Sequence, residues 1–264
     1  MSKDVKVLVL RTAGTNCNEE TAFAFKKSAA VVSQVHINRL IKREVKLEDY
    51  YILALPGGFS YGDDIASGRI LANELKVKIG GELKKFIQDG KLILGICNGF
   101  QILVKAGFLP GFSLDSGMRQ EATLTTNDSA RFEDRWVHLK VSGNSVWTKN
   151  LPEKIYLPVA HGEGKFVAID EDILKKIQQK GLVAFRYASA NGKSPKYPEN
   201  PNGAVDNIAG ITDATGRVLG LMPHPERHFF FTQHPFWTRL DKKSEFGDGA
   251  DIFKNGVDYV KKNF

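Results

Sequence analysis

The stretch Gly95-Ile96-Cys97-Asn98-Gly99 sets a thiol between two glycines. It sits where the apolar run 91–96 gives way to the helical spacing of residues 100–107. A G-x-C-x-G stretch between strand and helix is the cysteine form of a nucleophile elbow. The turn is too tight for side chains at its flanks, and its strained backbone lifts the nucleophile above a sheet. Cys97 then stands at a helix N-terminus, where free N–H groups and the helix dipole favour a thiolate. The Asn98 N–H is placed to receive an oxyanion formed beside the sulfur. Nucleophilic attack on an acyl carbon is the chemistry these groups suit. Cys17 follows a glycine turn but has no elbow, so it reads as a small buried apolar side chain.

A thiol that attacks an amide needs a proton shuttle and a group to orient it. Among the six histidines, His36 falls in an expected strand and His138 in an apolar/polar alternation, as structural residues do. His224 differs, because it stands in Pro223-His224-Pro225-Glu226. Pro225 pushes His224 into an extended conformation, and in extended chain Glu226 would point to the same side as the imidazole. His161, in His161-Gly162-Glu163-Gly164, is the rival base; the glycine between it and Glu163 leaves their orientation undefined, so this loop reads as substrate-facing. Leu55-Pro56-Gly57-Gly58 offers a second oxyanion donor, the N–H of Gly58, and one such donor is typically worth ~3 kcal/mol in the transition state. Gln101 lies one helical turn beyond Cys97 and shares its face, ready to bind a polar group of the substrate. None of these side chains is assigned to a metal.

The elements that must position these groups are legible as alternating strands and helices. Strands are expected at 6–10, 31–37, 50–55 and 91–96. Asn16 or Asn18 would cap a helix carrying Glu19, Glu20, Phe23 and Phe25. Helical spacing resumes at Ile65 and again over 83–87. The pattern predicts an α/β fold, a mostly parallel central sheet with helices on both faces. In such sheets reactive groups collect at the carboxyl edge, where both the Gly57-Gly58 turn and Cys97 fall. Residues 121–141 and 182–221 hold short β-prone runs with turns at Asn191-Gly192, Pro201-Asn202-Gly203 and 213–216, which predict added antiparallel strands. A terminal helix is expected over 249–262.

Composition narrows the class further. The chain has 264 residues, 42% of them apolar and 25% charged, which suits a soluble globular protein. Only two cysteines occur, so a disulfide scaffold and a four-cysteine zinc site are excluded. The net charge of +7 comes from lysine pairs scattered along the chain, such as Lys26-Lys27 and Lys242-Lys243, and not from one basic block. Solvated helix faces account for that pattern, and no nucleic-acid partner is expected. No run approaches the ~20 apolar residues of a membrane span, and the N-terminus does not read as a signal peptide, so the expectation is a cytoplasmic protein with reduced cysteines and no membrane partner. Without a repeat, low-complexity tract or linker, residues 1–264 are expected to form one domain, with a core at about 5–228 and a C-terminal extension at 229–264.

With Gly95-Ile96-Cys97-Asn98-Gly99-Phe100-Gln101 and Pro223-His224-Pro225-Glu226, the sequence resembles the class I (triad) glutamine amidotransferases. More narrowly, Gly14-Thr15-Asn16-Cys17, the run 57–63, His161-Gly162-Glu163-Gly164, Pro201-Asn202-Gly203 and 207–211 are similar to the glutaminase subunits of phosphoribosylformylglycinamidine synthases. The likeness spans roughly residues 5–228. It implies a flavodoxin-like core in which Cys97 attacks the side-chain amide of L-glutamine. His224, oriented by Glu226, would protonate the departing ammonia, and water would hydrolyse the thioester. Gly58 and Asn98 would hold the oxyanions, with Gln101, His161, Glu163 and Asn202 on the glutamine. The ammonia would pass to a large synthetase subunit using ATP, magnesium and formylglycinamide ribonucleotide, with a small third subunit bridging them. No cofactor is expected in this chain itself, which has no G-x-x-x-x-G-K-[ST] stretch. Two other readings stay open: a glutaminase serving a different synthetase, and a non-catalytic docking or regulatory subunit of the same fold. A DJ-1-like chaperone or peptidase fits less well, because a His commonly follows the Cys in that group and Asn98 does so here.

Overall fold

Strands covered on both faces have no polar side to show, and four at the centre of this sheet are buried along their whole length. In the computed structural model, which describes residues 4–142, 145–191, 193–241 and 244–264, β1 (Lys6–Arg11) leads through α1 (Asn18–Lys27) to β2 (Val31–His36). The short α2 (Ile37–Ile41) follows, then β3 (Ile52–Leu55), the long α3 (Arg69–Gln88), β4 (Leu92–Ile96) and α4 (Asn98–Lys105). β2, β1, β3 and β4 pair in parallel, each neighbour in register with the next.

The second half adds β5 (Ala122–Thr125), β6 (Glu133–Val141), β7 (Lys154–His161), β8 (Lys165–Ala168), α5 (Glu171–Gln179), β9 (Val183–Ala188), β10 (Ile208–Thr212) and β11 (Val218–Leu221). The nine-stranded sheet runs β2-β1-β3-β4-β11-β10-β9-β6-β7, and β5 and β8 form a separate antiparallel pair. β11 is the hinge of this arrangement. It is parallel to β4, with Leu221 opposite Ile96, and antiparallel to β10. The antiparallel half then curls until β7 meets the segment after β11, where the His224 N–H donates to the Pro158 carbonyl at 2.8 Å. One apolar cluster extends from Val5 to Val260 and takes in Phe253 and Val257 of the terminal helix α6 (Ala250–Asn263).

The expected architecture of a parallel first half with antiparallel additions is what the chain adopts, with several local differences. The helix expected to resume at Ile65 begins at Arg69 and runs unbroken for 20 residues; Ile65 lies before it and is exposed. β2 ends at His36, whose Nδ1 accepts the Asn38 N–H and caps α2. Neither Asn16 nor Asn18 caps α1: Cys17 holds the cap position without a side-chain bond, and Asn18 Nδ2 reaches Gln34 instead. β7 was not expected, since it falls between the β-prone runs 121–141 and 182–221; it carries Pro158 at the sheet's edge, where the missing N–H costs no ladder bond. α5 was also not anticipated, although Asp170 caps it by accepting the Ile173 N–H at 2.7 Å. Gly192 of the Asn191-Gly192 turn and the Lys242-Lys243 pair lie outside the described residues.

Candidate active site

The carboxyl ends of β4 and β11 lie side by side, because these two strands are parallel neighbours. Cys97 follows the first and His224 stands three residues after the second. Cys97 adopts φ 51° and ψ −104°, a strained backbone for a non-glycine residue. Its N–H is held by the Leu221 carbonyl at 2.8 Å, and its carbonyl accepts the N–H groups of Phe100 and Gln101. The elbow needs Gly99, where a Cβ would meet the Leu55 carbonyl oxygen at 1.9 Å. The Cys97 side chain is 5% exposed, and its Sγ lies 3.7 Å from the Ala160 carbonyl oxygen.

His224 is extended, with φ −103° and ψ 90°, as a residue before proline should be. Glu226 does not continue the extended chain. Pro225 opens a short 3-10 turn, for which its fixed φ is well suited, and that turn swings Glu226 back. The result is the pairing expected from sequence by a different local route: His224 Nδ1 to Glu226 Oε1 at 2.6 Å, both side chains buried. The imidazole's pKa is held well above the ordinary histidine value. Burial opposes its charge, but the Glu226 carboxylate, then the nearby sulfurs of Cys97 and Cys17, outweigh that penalty. His224 Nε2 and Glu226 Oε2 are buried with no hydrogen-bond partner among the described residues.

The second oxyanion donor comes from β3. Gly58 has φ +138°, and its loop is zipped to the one after β1 by Cys17 N–H to Gly57 O and Phe59 N–H to Gly14 O. No acceptor is recorded for the N–H of Gly58 or of Asn98 among the described residues. The Asn98 side chain ties the elbow to the Gly58 loop, accepting the Ser60 N–H at 3.2 Å, and it donates to Gln101 Oε1 at 2.9 Å within its own helix.

The four expected glutamine contacts are gathered beside this centre, but their side chains are already engaged. Gln101 Nε2 donates to the Glu163 carbonyl at 2.6 Å. Glu163 Oε2 accepts the Ser67 N–H and lies 3.5 Å from Lys105 Nζ. Lys105 is buried, which lowers its pKa, while Glu163 pulls in the opposite direction. Asn202 donates to the Tyr187 hydroxyl and accepts the Ala204 N–H. His161 is almost wholly buried and its pKa falls to about 4, first through desolvation and then through repulsion from the His224 charge. Its Nδ1 pairs with Asn127 Oδ1 at 3.2 Å.

Two residues at the site escaped the sequence reading. Asn127, isolated in a polar loop, joins the Gly164 N–H, the His161 carbonyl and the Arg131 carbonyl in one buried knot. Cys17 is buried as expected but is no bystander: a Cβ on Gly57 would meet both its Sγ and the His224 ring. Cys17 Sγ accepts from Arg227 Nη2 at 3.2 Å. Its glycine turn was the available signal, though nothing in the sequence says that this turn lands on His224.

A family model for the CobB/CobQ-like glutamine amidotransferase domain matches residues 4–260. The chain belongs to that family. Its amidotransferase relatives include the phosphoribosylformylglycinamidine synthase subunit PurQ of Dehalococcoides mccartyi, 47% identical over 264 residues and covering 99% of this chain and 100% of the relative. PurQ of Archaeoglobus fulgidus is 41% identical and covers 98% of each chain. Among solved structures, PurLQS from Thermotoga maritima matches with a TM-score of 0.74 at 32% identity, over 98% of this chain and 100% of the other.

Proposed function

We propose that this amidotransferase is the glutaminase subunit of a phosphoribosylformylglycinamidine synthase, acting in purine biosynthesis. The observation that carries the reading is the placement of a strained, glycine-flanked cysteine and a carboxylate-paired histidine on adjacent parallel strand ends. Names and lengths of the relatives support the particular synthase, since the chain and PurQ of D. mccartyi match from end to end.

In this reading the Cys97 sulfur attacks the side-chain carbonyl carbon of L-glutamine, and the C=O electron pair moves onto oxygen. The N–H groups of Gly58 and Asn98 receive that oxyanion. As the C–N bond breaks, His224 gives its proton to the departing nitrogen and ammonia leaves. A thioester remains on Cys97. Water then gives a proton to His224 and attacks the thioester; the C–S bond breaks, and glutamate and the free sulfur are restored. Glu226 fixes the ring tautomer and stabilises its charged form throughout. Gln101, His161, Glu163 and Asn202 shape the wall against which glutamine lies. Gln101 and His161, bonded to the Glu163 carbonyl and to Asn127, also hold the 161–164 loop in place.

Ammonia would pass to a large synthetase subunit, bridged by a small third one, that uses ATP and magnesium to convert formylglycinamide ribonucleotide to formylglycinamidine ribonucleotide. The apolar cluster that runs into α6 supports one domain throughout, with the tail beyond residue 228 packed into it. Among the described residues no helix is long and apolar enough to cross a membrane, which fits a cytoplasmic complex. The deciding experiment measures glutamate release from glutamine with the purified chain alone, with the purine synthetase and small subunit, and with other ammonia-using synthetases. Release raised by the purine synthetase alone supports the proposal. Release raised only by another synthetase assigns the glutaminase to that partner, and transfer supported equally by Cys97→Ala makes the chain a docking subunit.

A further inference from the structure

Cys17, His224 and Glu226 each offer a metal-binding atom, and these atoms lie within 4.8 Å of one another in a wholly buried group. Thiolate, imidazole and carboxylate are the three donor types of zinc sites. One buried atom of this group, Glu226 Oε2, has no hydrogen-bond partner among the described residues. Such orphaned atoms are expensive in a protein interior unless something binds them.

We propose that Cys17, His224 and Glu226 form a binding site for zinc, and that its occupancy switches the glutaminase centre off. Zinc bonds of about 2.0–2.3 Å place tetrahedral ligands roughly 3.2–3.8 Å apart. The 2.6 Å contact between His224 Nδ1 and Glu226 Oε1 must therefore open by about an ångström, a side-chain movement, with the Cys17 sulfur, within 4.8 Å of both ligand atoms, settling at the same spacing. On binding, the ion displaces two protons to solvent, one from the Cys17 thiol and one from His224 Nδ1. Arg227 donates to the same sulfur and would remain as its hydrogen-bonding neighbour, offsetting part of the charge of the two anionic ligands. With the ion on Nδ1 the ring keeps a single proton on Nε2 and can no longer become the imidazolium that protonates ammonia, so glutamine hydrolysis stops while Cys97 itself is untouched. Cys17 reaches the ring because Gly57 has no side chain to fill the space between them.

The inhibition rests on the glutaminase reading; the binding does not. The chain has two cysteines, so Cys97→Ala leaves Cys17 as its single thiol. Cadmium, a spectroscopic stand-in for zinc, is titrated into Cys97→Ala while the ultraviolet sulfur-to-metal band is followed, with zinc as competitor. The expected result is one cadmium per chain, displaced by zinc, with affinity roughly tenfold or more weaker when Cys17→Ser is added. Absence of the band in Cys97→Ala, or its persistence after Cys17→Ser, overturns the proposal. Should the double variant not fold, cadmium NMR of Cys97→Ala decides: a shift for one sulfur with nitrogen and oxygen supports the site, and a shift without sulfur overturns it. In the wild-type chain with its synthetase, zinc should abolish glutamate release and a chelator restore it. Release unaffected by saturating zinc overturns the switch, whereas no release under any condition overturns the glutaminase reading and leaves the binding result standing.

Discussion

The imidazole of His224 and the carboxylate of Glu226 are joined by a 2.6 Å contact between Nδ1 and Oε1, in a place where neither side chain meets water. Two residues apart in sequence, they come together because a proline between them converts an extended strand end into a 3-10 turn. This contact leaves Nε2 as the ring's working nitrogen. Its charge also makes a buried imidazolium tolerable, since the carboxylate offsets the desolvation that opposes it.

Glu226→Gln keeps the shape of that pair and removes its charge. Glutamine hydrolysis should fall by about a hundred- to ten-thousand-fold in kcat with a small change in KM. The His224 pKa should move down at the same time, as NMR titration of the ring will show. A Glu226→Gln enzyme with unchanged kcat would remove Glu226 from the mechanism.

The elbow predicts a contrast between two glycines. In Gly99→Ala the new Cβ would lie 1.9 Å from the Leu55 carbonyl oxygen, and denaturant unfolding should show a loss of about 3 kcal/mol or more. Gly81→Ala, in the middle of α3 with nothing within 4 Å of the added carbon, should gain about 0.5–1 kcal/mol.

His161 gives a pH dependence of stability. Unfolded, it takes up a proton near pH 6.5; folded, it does so only near about 4. Between those values the unfolded chain binds more protons, so stability falls as pH drops from 6.5 towards 4. The contribution of this one residue is about 3 kcal/mol across that window. His161→Gln should therefore flatten the acid limb of a melting-temperature profile relative to wild type. An equally steep limb in the variant contradicts the assignment.

The parallel half of the fold was readable because its strands declare themselves: 91–96 is almost wholly apolar and ends on the elbow glycines. β7 falls between the two β-prone runs and was missed, and β11 could be recognised as a strand but not as the parallel partner of β4. Pairing is settled by tertiary packing, and one sequence does not display it. Cys97, His224 and Glu226 stood out because prolines and glycines constrain the backbone around them. Cys17 and Asn127 did not, since their importance comes from what lies across a gap: Gly57 and the His224 ring in one case, the ends of two loops in the other. For Gln101 and Asn202, polarity alone could not tell that their amides are engaged with protein partners.

The most direct measurement is mass spectrometry of the protein after exposure to a reactive glutamine analogue, alone and in the presence of the synthetase. One adduct per chain on Cys97, blocked by excess glutamine and lost in Cys97→Ala, is the predicted result. An adduct on Cys17 instead, or glutamine hydrolysis that survives Cys97→Ala, would contradict it.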